Sequence, residues 1–158
     1  MLSNLKKRSE GFTIIEVLIV LAIAGLILLI VFLAVPALQR NARNTSRKND
    51  VAGALGAASE FVNNNSGTLP TTGAMSGSTL TISGAAGTNS ATATLGYYTS
   101  GVTVSTQASY GTTNNTTTET VVILTGATCS GNNPAAGTGR GIAAVYTLEG
   151  GAKQCQAS

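Results

Sequence analysis

The chain has 158 residues, a formal net charge of +3 and 9% charged residues, where soluble domains carry about 25%. That length holds one domain beside one long apolar segment, so only part of the chain can form a globular core. There is no His, the carboxylates Asp50, Glu60, Glu119 and Glu149 are scattered, and no GxSxG or P-loop pattern occurs, so neither nucleophilic nor metal-assisted catalysis has its parts.

An enzyme, a bound cofactor and a metal site are therefore not expected. Lys6, Lys7 and Arg8 concentrate positive charge at the extreme N-terminus, which leaves no global argument for a nucleic-acid partner. Beyond the first third, Ala, Gly, Ser, Thr and Asn dominate, a composition suited to an exported or surface protein.

Taken in chain order, the short basic segment MLSNLKKRSEG meets the apolar run FTIIEVLIVLAIAGLILLIVFLAV without a linker. From Phe12 to Val35 the only charge is Glu16. As a helix this run spans roughly 36 Å, enough to cross a ~30 Å hydrocarbon core with tilt. It is too long for the apolar stretch of a secretory signal peptide and ends without a small-residue cleavage site, so it is expected to be retained. Positive charges flank it on both sides, Arg40, Arg43, Arg47 and Lys48 on the far one, and the positive-inside rule does not orient it.

Pro36 removes the backbone hydrogen bond to the carbonyl of Phe32 and is expected to kink the helix near the membrane exit. Beyond it, Val51, Leu55, Ala58 and Val62 recur at helical spacing and predict an amphipathic continuation over residues 40–66. Asn63 to Gly67, with Leu69-Pro70 following, supply the stop. Arg40, Arg43 and Arg47 form a basic stripe on that helix. No aromatic residue interleaves with them, so charges at an intersubunit or membrane interface are the better reading, and phosphate binding, as in DNA uptake, the weaker one.

Residues 67–158 read as a small β domain. Short alternating runs at Thr79–Ser83, Val102–Thr106, Thr120–Thr125 and Ile142–Leu148 predict antiparallel strands separated by turns, and Gly84 to Ser100, poor in large apolar residues, predicts a long surface loop. Cys129 and Cys155 are the only cysteines. They lack CxxC spacing and have no His beside them, and they read as one structural disulfide formed in an oxidising compartment. Triplets of the N-x-S/T kind begin at Asn44, Asn64, Asn114 and Asn115, but such matches arise by chance in a Ser/Thr-rich chain.

A carboxylate inside an apolar helix costs several kcal/mol unless it is paired. Glu16 therefore asks for a partner, or for a place close enough to the membrane surface to stay hydrated. The apolar run, likewise, is either an assembly surface or a plain single-pass anchor.

The junction GFTIIEVLIVLAIAG resembles the N-terminal motif of type IV pilins and the related pseudopilins. That resemblance implies a leader, residues 1–11, ending at Gly11 and removed by a prepilin peptidase, with Phe12 as the methylated N-terminus. It places Glu16 at the position that registers subunits, against the amine of a neighbour's Phe12, and it makes residues 12–39 the membrane and assembly helix. It implies an α+β fold, a long N-terminal helix packed on a small antiparallel sheet, with the disulfide closing a C-terminal loop. Ala22 and Gly25 also match motif residues, whereas the family's helix-breaking proline usually falls where this chain has Leu33. Expected partners are further copies in a helical fibre, other pilins, the pilus assembly machinery and, before assembly, membrane lipid. The alternatives are a type II secretion pseudopilin and a permanently anchored surface domain. The C-terminal cysteine pair and the undercharged Thr/Asn-rich surface favour the extracellular pilin.

Overall fold

A computed structural model describes residues 11–106, 110 and 116–158. Residues 1–10 of the basic leader, and the triplets at Asn114 and Asn115, lie outside the described residues. The chain divides into two compact units, 1–39 and 40–158.

Helix α1 runs from Ile14 to Asn64 with Pro36 inside it. In the first unit its surface is apolar and uncovered: Leu18, Leu21, Leu29 and Leu33 are all 60% exposed or more. It is the one helix among the described residues long and apolar enough to cross a membrane. In the second unit the helix buries the expected stripe, Val51, Leu55, Ala58 and Val62, together with Ala54, Ala57 and Phe61. Burying Phe61 fully contributes about 1.5–3 kcal/mol. The helix stops in the predicted place because Ser66 takes a left-handed conformation (φ 55°) and the amide of Gly67 (φ 88°) donates to the carbonyl of Val62 at 2.8 Å. This is the Schellman closure, which satisfies a carbonyl the helix would otherwise leave free.

Nine strands follow among the described residues: β1 Thr72–Ser76, β2 Thr79–Ser83, β3 Ala91–Thr94, β4 Val102–Thr106, β5 Val121–Thr125, β6 Ala127–Ser130, β7 Asn133–Ala136, β8 Ile142–Thr147 and β9 Lys153–Ala157. They form sheets ordered β1-β2-β3, β4-β5-β8-β9 and β6-β7. The β1–β2 and β6–β7 hairpins turn on Gly77 and Gly131, both at φ 60°, a left-handed conformation that a side chain resists.

The four runs predicted as strands are strands, within a residue or so at their ends. Two expectations need correction. Pairing is not antiparallel throughout, because β4 lies parallel to β5, Val102 opposite Val121. Residues 84–100 are not simply a surface loop: they contain β3, and Leu95 and Tyr98 are each 1% exposed. Two large buried side chains in a Gly/Ser/Thr-rich stretch are too few to create a visible period, yet Leu95 and Tyr98, with Ala91, enter the same core as the helix stripe.

Every residue of β8 is buried, because both faces of its sheet are covered. Ile142, Ala144 and Tyr146 pack with the helix residues. Ala143 and Val145 pack on the other face with Leu124, Ala127 and Tyr110. The β6–β7 hairpin helps cover that second face, and the Cys129–Cys155 disulfide, with Cα atoms 5.7 Å apart and a sequence separation of 26, fastens it to β9.

Candidate functional site

In the first unit the helix starts with a local device. Thr13 is the cap residue: its carbonyl accepts the first helical bond from the amide of Val17 at 3.3 Å. The amide of Glu16 donates to Thr13 Oγ1 at 3.4 Å, while one carboxylate oxygen of Glu16, Oε2, accepts both the Thr13 amide at 2.9 Å and the Thr13 hydroxyl at 2.6 Å. The sequence T-x-x-E thus forms a capping box, in which cap and third residue satisfy each other's free groups. The carboxylate that the apolar run cannot solvate finds its first partner within its own helix. No hydrogen bond to Oε1 is present among the described residues. Phe12, 89% exposed, stands just before the cap. Phe12, Glu16, Val17, Val20 and Leu21 line one shallow apolar surface.

Two of the three arginines of the basic stripe, Arg43 and Arg47, have partners inside the second unit, while Arg40 is exposed. Arg43 makes a two-pronged contact with Glu149, Nε to Oε1 at 2.5 Å and Nη2 to Oε2 at 2.9 Å. Arg47 is 1% exposed. Its guanidinium lies 4.4 Å from the ring centre of Tyr97 and donates to the Tyr97 hydroxyl and to Asn44 Oδ1, and it stands 3.5 Å from Glu149 Oε1. The hydrogen bond from Arg43, joined by the field of Arg43, Arg47 and Arg40, holds the Glu149 carboxyl below its ordinary range, and the same bond raises Arg43.

Asp50, 8% exposed, accepts three backbone amides, Gly96 at 2.9 Å on Oδ1 and Tyr97 and Tyr98 at 2.6 and 3.0 Å on Oδ2. Asn44 Oδ1 also accepts the Glu149 amide at 2.9 Å. Two of the carboxylates that look scattered along the chain, Asp50 and Glu149, therefore meet at one helix face, where they hold the turns after β3 and β8. Sequence spacing could have revealed Thr13, whose T-x-x-E signature is local. It could not have paired Arg43 with Glu149, 106 residues away. Among the described residues no group of three or more His, Cys, Asp or Glu side chains is placed to hold a metal ion.

Compared with known proteins, residues 6–32 match the prokaryotic N-terminal methylation motif. This is the prepilin signal of the type IV pilin class, a class of structural rather than enzymatic proteins. The match spans the basic second half of the leader, the Gly11-Phe12 junction, the capping box and most of the apolar run. It supports a pilin-like or pseudopilin precursor, and with the exposed apolar helix it fits a membrane-anchored precursor that a prepilin peptidase processes. No curated protein and no solved structure matches the chain.

Proposed function

We propose that this protein is a structural subunit of a type IV pilus-like surface fibre. The prepilin peptidase cuts between Gly11 and Phe12, the Phe12 amine is methylated, and the mature subunit waits in the membrane with residues 12–39 in lipid. Assembly moves that helix from lipid into a bundle of its copies. Both surroundings are apolar, so the transfer is close to neutral, and packing together with the pairing of Glu16 supplies the preference. The observation that carries the reading is the position of the single carboxylate, five residues past Gly11, on an uncovered apolar helix that begins at the prepilin junction.

Apolar packing along Leu, Ile and Val fixes axial register poorly. A carboxylate tolerated only where a neighbour's Phe12 amine can reach it selects one offset. Pro36 leaves the carbonyl of Phe32 without its helical donor and gives the assembly helix a place to bend.

The experiment is to shear surface material from cells, inspect it for fibres and determine the N-terminus of the subunit they contain. The expected result is fibres whose subunit begins at methylated Phe12; fibres carrying the full leader would sink the processing claim, and a chain found only in the membrane fraction would make it a permanent anchor. Glu16→Ala should leave membrane insertion unchanged or easier and abolish or steeply reduce fibres, with Glu16→Asp intermediate because its reach is one methylene shorter. Normal fibres from the Ala variant would remove the register mechanism.

A further inference from the structure

We propose that Thr13 is a positioning residue for assembly: it holds the Glu16 carboxylate by one oxygen so that the other faces an incoming amine. The inference rests on the proposed pairing of Glu16 with the Phe12 amine of a neighbouring copy and adds a residue to it.

A free glutamate side chain samples many rotamers, and ordering it on contact costs entropy. Here the ordering is done in advance. Thr13 binds Glu16 Oε2 twice, through its amide at 2.9 Å and its hydroxyl at 2.6 Å, and the Glu16 amide closes the box on Thr13 Oγ1 at 3.4 Å. The charge is thereby fixed at the first turn of the helix, beside the residue that becomes the chain terminus once the Gly11–Phe12 bond is cut. A carboxylate offers about four lone-pair sites, and the capping box uses only those of Oε2. Oε1 can then take a charge-assisted bond from an ammonium group, which is the stronger kind. Own-chain capping and intersubunit pairing are thus simultaneous, and the subunit need not break one to make the other.

Three substitutions separate this role from plain helix capping. Thr13→Ser keeps the hydroxyl. Thr13→Val keeps the branched shape without it. Thr13→Gly removes the hydroxyl while remaining nearly as good a cap as threonine. In cells making the full chain, with fibre yield measured per membrane-bound subunit and leader removal followed by N-terminal analysis, Ser should assemble like wild type. Val and Gly should fall about ten-fold or more, the worth of a hydrogen bond to a charged group, with normal leader removal. Glu16→Ala is run in parallel.

Val or Gly variants assembling within about two-fold of wild type would overturn the proposal, as would a Ser variant as defective as Val. So would accumulation of the Val and Gly chains with the leader still attached, which would place Thr13 in cleavage instead. If Glu16→Ala loses fibres while all Thr13 variants keep them, only this inference fails. If Glu16→Ala assembles normally, the assembly reading itself fails.

Discussion

Asp50→Ala should be among the most damaging single changes in the 40–158 unit. Its carboxylate is the acceptor for three consecutive amides, at 2.9, 2.6 and 3.0 Å from Gly96, Tyr97 and Tyr98. Hydrogen bonds to a charged group contribute roughly 1.5–3 kcal/mol each, and an orphaned buried donor costs about 1–3 kcal/mol. The Gly96 and Tyr97 amides are only partly buried and can turn to water, whereas the Tyr98 amide is buried. These terms are not additive, and a loss of about 3–5 kcal/mol is expected for alanine. In a domain of this size that lowers Tm by roughly 12–20 °C.

Asp50→Asn sharpens the test. Its single amide oxygen can replace Oδ2 under Tyr97 and Tyr98, but its NH2 then faces the Gly96 amide, donor against donor, so about 1–2 kcal/mol is expected to be lost despite the near-identical shape. The assay is thermal and urea unfolding of the oxidised fragment Arg40–Ser158, followed by far-ultraviolet and tyrosine circular dichroism. An alanine variant within about 0.5 kcal/mol of wild type, or an asparagine variant fully as stable, would refute the argument that this carboxylate holds the turn.

Cys129→Ser, or reduction of the bridge, should cost about 3.5 kcal/mol by the loop-entropy relation for a separation of 26 residues; equal melting of the oxidised and reduced fragment would show the bridge to be without consequence. Glu149→Gln should alter the acid limb of the stability profile. Because the folded carboxyl lies below its ordinary value of 4.5, its contribution is full above that value and is lost as pH falls through the lowered folded one. Wild type should therefore lose more stability than the glutamine variant between neutral pH and strong acid, a difference that melting across pH reads directly, and parallel profiles would disprove the clamp. Gly67→Ala should destabilise the end of α1, since φ 88° strains any side chain there; unchanged amide exchange in residues 60–67 would contradict it.

The N-terminal half of this protein is legible from its sequence because its determinants are local. A basic leader, an apolar run with one carboxylate, the T-x-x-E box, the Val51/Leu55/Ala58/Val62 stripe and the Gly67 stop all lie within a few residues of what they act on. The four strongest strands are legible for the same reason, as β-branched alternation between turn residues. Tertiary structure decided the rest. The parallel pairing of β4 with β5, the entry of Leu95 and Tyr98 into the core, and the gathering of Arg43, Arg47, Asp50 and Glu149 join segments 19 to 106 residues apart. No periodicity encodes such partners. A charge on an exposed-looking helix face reads as surface until a turn from the far end of the chain arrives to cover it, and beyond its local bond to Asn44 the cost of burying Arg47 is offset by Tyr97 and Glu149, which the fold and not the neighbouring sequence brings within reach.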